Sequence, residues 1–126
     1  MVEILAIGGA LREICGDQAA LDLTFVEEAR TAPKYRPYSI DDRFAALVET
    51  SEGGTSVLGE IVSMSDDAFE RLLAGEPPGV VQAPVELADG RVVLGAVGDP
   101  ALMAAGAREI TEYGGFVAYR RAQDDH

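Results

Sequence analysis

The sequence offers few side chains for nucleophilic or metal chemistry. Its one histidine, His126, is the terminal residue and follows Asp124 and Asp125. A Ser-His-Asp or Cys-His mechanism therefore lacks a firmly held base. Cys15 stands alone, so no internal disulfide can form. One cysteine and one terminal histidine fall short of a zinc ligand set. The expectation is no metal and no cofactor. Acid–base chemistry is left to carboxylates, tyrosines, the single lysine Lys34, or backbone dipoles. One stretch suits the backbone option. The apolar run Glu3–Ile7 stops at Gly8-Gly9-Ala10 and is followed by Leu11–Cys15, room for one helical turn. A glycine turn between a strand and a helix can leave N–H donors facing an anion. An ordinary turn explains the same residues.

Charge and composition narrow the partners. The chain has 126 residues, 48% of them hydrophobic, enough for one domain with its own core. Twenty-two acidic residues against ten basic give a net charge of −12. The acidity runs through both halves, so nucleic acid and anionic membranes would be repelled at long range. A solvated surface is the plain reading of that charge; a patch for a basic partner is the other. No stretch reaches the length of a membrane span, and Val2–Ile7 is too short and lacks the basic lead of a signal segment. With one cysteine, the cytoplasm is the expected location.

The elements follow from pattern. Strands are expected at 3–7 and 23–29. The two prolines of Thr31–Tyr38 argue for an edge strand or extended loop there. Apolar runs at 44–50 and 56–64 flank the turn cluster 51–55, which suggests a hairpin. Ser65 caps a helix over 65–75, with Phe69, Leu72 and Leu73 on one face and Gly75 beyond the last turn. Val81, Ala83, Val85 and Leu87 alternate along a strand. Asp89-Gly90 turns it back into 91–97. A weakly helical stretch over 99–107, a short helix over 108–113, a last strand over 116–120 and a polar tail at 122–126 complete the chain. Hairpin signals dominate, so the expected fold is α+β: a small mixed, mainly antiparallel β-barrel with a few short helices.

Three blocks carry a resemblance: Arg30–Tyr38, Phe69–Val97 and Glu109–Tyr119. In this order and spacing they resemble the C-terminal domain of allophanate hydrolase. The likeness spans about residues 3–121, so a single domain over 1–121 is expected, without the amidase that usually precedes it. That domain is similar to the γ-glutamyl cyclotransferase family, whose members follow their first strand with a Tyr-Gly-Ser/Thr-Leu loop. Ile7-Gly8-Gly9-Ala10-Leu11-Arg12 stands at that place. The glycine and Leu11 fit; the Tyr and the Ser/Thr do not. The resemblance implies that this loop holds a carboxylate through its N–H groups. It also implies that Glu76, between a helix and a hairpin, is the catalytic acid/base. Glu76 would take a proton from a substrate amine as that amine attacks a γ-carbonyl, then return it to the leaving amine. Arg36 and Tyr38, from the first block, could contact a bound carboxylate or hold the loop geometry; Arg12 could pair with an anion or form a surface salt bridge; Tyr113 could line the cavity or pack to close the barrel.

Two functions are consistent with these residues. One is a module that binds a small carboxylate ligand or assembles with a separately encoded amidase; a homodimer is compatible with it. The other is a cyclotransferase-like enzyme acting on a γ-glutamyl amide or a related small amide or carbamate. The carbamate step assigned to the allophanate hydrolase domain implicates a histidine that has no counterpart here.

Overall fold

The computed structural model describes residues 1–41, 44–77, 79–99 and 107–124. Eight strands form one sheet: β1 (Val2–Ala6), β2 (Leu23–Arg30), β3 (Tyr35–Ile40), β4 (Phe44–Glu49), β5 (Leu58–Met64), β6 (Val80–Glu86), β7 (Val92–Gly98) and β8 (Ala107–Glu109). Three short helices accompany them: α1 (Arg12–Cys15), α2 (Asp66–Ala74) and α3 (Phe116–Asp124). The strand order is β2-β5-β1-β7-β4-β3-β8, with β6 paired to β7 off that path. Five of the seven pairings are antiparallel; β1 and β4 each run parallel to β7. The fold is therefore mixed α+β with a mostly antiparallel sheet. Among the described residues no pairing joins β2 to β8, so the sheet has two free ends there.

β7 organises this sheet. Its first half pairs with β1 through Ile4–Leu94 and Leu5–Gly95, and its later part pairs with β4 through Leu47–Val97. β6 covers its other edge throughout. Two parallel neighbours thus share one edge of one strand, so β1 and β4 must part where the partner changes. Core side chains seal the body of the sheet: Leu5, Leu47, Ile61, Val62 and Val85 are all essentially inaccessible.

Several expectations hold. Ser65 Oγ accepts the Ala68 N–H at 3.1 Å, and α2 ends at Gly75. Asp89-Gly90 closes the β6–β7 hairpin, with Gly90 at φ 93. Others need correction. The runs 44–50 and 56–64 do not pair with each other. β4 pairs with β3 and β7, while β5 pairs with β1 and β2. The segment between them instead crosses back to bridge Thr55 to Tyr35.

β3 is not an edge either, since β4 and β8 flank it. Pro37 is tolerated because its nitrogen faces the β8 side just past that ladder, where its carbonyl accepts Ile110 N–H at 2.8 Å. Residues 108–113 divide into β8 and a 3₁₀ turn at Thr111–Tyr113. The expected strand over 116–120 is helix α3, which runs on through Ala122–Asp124 of the expected polar tail. Its inward residues Phe116 and Tyr119 lie three apart, a spacing a helix buries together. The stretch 100–106 and residues 125–126 lie outside the described residues.

On α2, Ala68 is buried and Phe69 and Leu72 pack against the core, but Leu73 is 42% exposed. On β6, Val80 and Val85 are buried while Val81 is 59% exposed. The strand buries one face at its start and the other after Pro84.

The turn after β1 lies against the start of β4. A Cβ at Gly8 would sit 2.9 Å from Ala45 N and 3.0 Å from Ala45 Cβ. Both are fixed by the strand, so β4 would have to move. Gly8→Ala is expected to lower unfolding free energy by about 1–3 kcal/mol, the usual cost of overpacking, measured by urea denaturation. An unchanged midpoint would mean that β1 and β4 are not held this close.

Candidate functional site

A cavity of about 420 Å³ opens where β1 and β4 part. Its walls are largely apolar, among them Ile4, Leu23, Phe44 and Leu72. Its polar groups are few: the backbone of Gly8–Ala10, Glu76 with Gln82, and Arg71. An apolar hollow with a few convergent polar groups is the usual form of a small-molecule site.

Residues 8–11 make one wall. Leu11 N–H returns to Gly8 O at 3.0 Å, closing a tight turn, and Leu11 O then accepts the Ile14 and Cys15 N–H groups as α1 begins. Among the described residues the N–H groups of Gly8, Gly9 and Ala10 have no acceptor. Glu60 on β5, buried to 9% exposure, holds the turn from behind. Its carboxylate accepts Arg12 N–H at 3.0 Å and Arg12 Nε–H at 2.7 Å. Gln18 Nε2 donates to Ala10 O at 2.8 Å and reaches Glu60 Oε1 at 3.4 Å. The Ala10 carbonyl is thereby engaged, and the free donors stay with the turn.

Glu76 makes the opposite chemical pole. It follows Gly75 at the end of α2, and Gln82 on β6 donates Nε2–H to its Oε1 at 3.0 Å. Burial pushes the Glu76 carboxyl above its ordinary pKa, and the Gln82 donor opposes part of that rise. At the cavity's outer side, Arg71 Nη2 pairs with Asp22 Oδ2 at 2.8 Å; both side chains are well exposed. Such a pair adds little stability.

The expected site residues are thus divided among three places. Ile7, Gly8, Gly9, Ala10 and Glu76 meet in this cavity. Leu11, Arg12 and Tyr113 line a separate hollow of about 660 Å³ with α3. There Arg12 stacks on the Phe25 ring at 3.6 Å and is ion-paired with Glu60 and Glu28. Tyr113 packs edge-on against Tyr119 at 5.3 Å. Arg36 and Tyr38 are elsewhere again. Arg36 donates to Glu52 O at 2.8 Å and pairs with Glu109 at 3.3 Å, and Tyr38 OH reaches Glu109 at 3.4 Å. Burial, and then the Glu109 charge, push the Tyr38 hydroxyl pKa upward. These two residues tie β3 to β8 and to the 50–54 loop.

Gln82 and Arg71 were not singled out from sequence. A glutamine interrupting an apolar strand was the available signal for Gln82. Nothing in the helical pattern distinguished Arg71 from an ordinary surface arginine. Among the described residues no group of three His, Cys, Asp or Glu side chains could hold a metal ion, and no helix is long and apolar enough to cross a membrane.

The fold and the hollow beside the end of β1 define a small α+β domain built around a ligand-sized cavity. Residues 2–121 match the family described as the allophanate hydrolase C-terminal domain, and the chain belongs to that family. A uropathogenic E. coli-specific protein of known crystal structure is 34% identical, with a TM-score of 0.82 over 95% of both chains. Kluyveromyces lactis allophanate hydrolase superposes with a TM-score of 0.82 at 22% identity; 97% of this chain covers 21% of that one. K. lactis urea amidolyase gives the same TM-score and identity over 8% of its length. At that identity the two K. lactis structures show a shared fold. No curated protein matches the chain.

The raised Glu76 pKa gives a pH signature. The folded state favours the neutral acid, so this contribution to stability is fully present below the unfolded pKa. It is lost as pH rises through the higher folded value. Glu76→Gln removes the titration. Thermal melts across pH should show wild type losing ground to the variant as pH rises through that window, then a constant gap. A gap independent of pH would mean that Glu76 titrates as an ordinary solvated carboxylate.

Proposed function

We propose that the cavity binds a small carboxylate whose other end bears an amide or amine, and that Glu76 moves a proton at that end. One observation carries this reading: Glu76 and the Gly8–Ala10 turn, far apart in sequence, line the same cavity. The unpaired N–H groups would hold the carboxylate, as backbone donors at turns hold anions. Burial raises the pKa of the half-buried Glu76 above its ordinary value, the direction that favours its taking up a proton as an acid/base. On a γ-glutamyl amide, the substrate's α-amine would attack the γ-carbonyl. The new C–N bond forms, the amine proton passes to Glu76, and the same proton goes to the departing amine as its C–N bond breaks. This is the chemistry of the γ-glutamyl cyclotransferases, and a curled, barrel-like sheet related to theirs accords with the fold. A cytoplasmic setting suits a single free cysteine.

Gly9→Pro tests the carboxylate end. Gly9 is the second residue of the Gly8–Leu11 turn and does not have positive φ. Proline suits that place and removes one N–H donor. Calorimetry with a γ-glutamyl alkylamide should show wild-type binding and a loss of about tenfold in the variant, one charge-assisted hydrogen bond. Glu76→Gln should keep binding within a few-fold and abolish release of 5-oxoproline. Equal affinity of Gly9→Pro and wild type would remove the turn from the site.

Assembly with an amidase is the second reading. It is favoured by the small share of K. lactis allophanate hydrolase that this domain covers, 21%, which leaves most of that enzyme to other parts. Co-purification of a separately encoded amidase would support it.

A further inference from the structure

The hollow of about 660 Å³ beside α3 is larger than the cavity at the end of β1 and shares no lining residue with it. In a chain of twenty-two acids and ten bases, three arginines converge on this hollow: Arg12, Arg30 and Arg121. Two of them are held. Arg12 is bound to the buried Glu60 at 2.7 Å, reaches Glu28 at 3.6 Å and stacks on Phe25. Arg121 grips Glu13 through Nε, at 2.7 Å, and through Nη2. Arg30 is the exception. Among the described residues its guanidinium has no ion pair, hydrogen bond or ring contact. Glu28, its same-face neighbour two residues back on β2, turns to Arg12 instead. The Arg30 side chain is exposed, so a solute can reach it. An arginine left single among so many acids, on the wall of a ligand-sized hollow, has donors to give and nothing in the fold to take them.

We infer that this hollow binds a small monocarboxylate with an apolar body, whose carboxylate pairs with Arg30. Charge decides the sign and the number. The three arginines share the wall with three glutamates, Glu13, Glu28 and Glu60. Each of these glutamates is engaged by Arg12 or Arg121, so the charge left over is one cation. One carboxylate matches it, with two oxygens set against the planar guanidinium. A dianion would carry a second negative charge without a partner into a chain already at −12. The rest of the wall sets the body of the ligand. Leu11, Leu58 and Val117 supply apolar surface, and Gly59, Gly114 and Gly115 leave room beside it. The volume lies within the range of sites that enclose small molecules. The inference does not depend on the reading of the first cavity. Gly8–Ala10 line that cavity, and Leu11–Glu13 line this hollow.

The test uses two probes of the same shape that differ in charge. 3-Phenylpropionate carries a carboxylate where 3-phenylpropionamide carries a carboxamide. Affinities are measured by amide ¹⁵N NMR titration of the intact protein, as wild type and as Arg30→Met. Wild type should bind the acid about tenfold more tightly than the amide, the effect of one charge-assisted pair, with shifts at Gly114, Gly115, Val117 and Ala118. Arg30→Met should bind both probes alike, at the wild-type affinity for the amide. Equal binding of the two probes by wild type overturns the inference and leaves an apolar hollow. A preference that persists in Arg30→Met overturns it too, as does the absence of saturable shifts at those four amides. Acid-dependent shifts at Gly8–Ala10 alone would put the carboxylate in the first cavity, which overturns this inference and leaves the proposed function standing. The wild-type comparison needs no variant, so it stands even if Arg30→Met does not fold.

Discussion

The change of partner along β7 is the constraint on which the remaining structure depends. A strand edge can hydrogen-bond to one neighbour at a time, and here β1 occupies it at Leu94–Gly95 and β4 at Val97. Past that point β1 keeps only its β5 neighbour. Its chain must turn away, and it does so at Gly8, the one residue small enough to lie against Ala45. The hollow left between the parting strands is lined by the turn itself. Ligands in α/β sheets bind in crevices of the same origin, where parallel neighbours diverge beyond the strand ends. Here a mostly antiparallel sheet reaches that geometry with only two parallel pairings.

What surrounds the hollow keeps its polar groups poised at some cost in stability. Glu60, Arg12 and Gln18 fix the back of the turn, leaving its front donors unpaired. Among the described residues Glu76 is desolvated without a cationic partner, and Gln82 donates one hydrogen bond to it. A buried acceptor without a donor, as Gln82 Oε1 is among the described residues, costs about 1–3 kcal/mol. Folding alone would favour apolar residues at both positions. Their presence in the cavity wall is what the proposed ligand would account for. The charge of −12 shapes the approach as well. On the proposed reading an anion would enter against a repulsive field, and the N–H donors of the turn would be what holds it.

How legible this was from sequence depended on whether the determinant was local. The Ser65 cap, the Asp89-Gly90 hairpin and the glycine turn after β1 are set by neighbours in the chain, and all three lie where the pattern placed them. The family, too, was readable from three motif blocks. Long-range pairing was not. Residues 44–50 and 56–64 read as a hairpin, yet each finds its partners elsewhere, β4 on β3 and β7 and β5 on β1 and β2. Phe116–Arg120 read as a strand because a short apolar run carries too little periodicity to separate the two states. The site followed the same rule. Glu76 and Gly8–Ala10 converge, while Arg12, Tyr113, Arg36 and Tyr38 are drawn into bracing contacts with Glu60, Tyr119 and Glu109. Gln82 becomes noticeable only once its unpartnered oxygen is seen in space.

On the proposed function, the turn and Glu76 are two ends of one ligand site. The most direct measurement is an amide ¹⁵N NMR titration with a small carboxamide carboxylate that follows backbone and side-chain NH₂ signals together. A shared site requires the Gly8, Gly9 and Ala10 amides and the Gln82 side-chain NH₂ to shift along one saturation curve. Shifts confined to the Tyr113–Val117 hollow, or shifts at only one of the two ends, would contradict it.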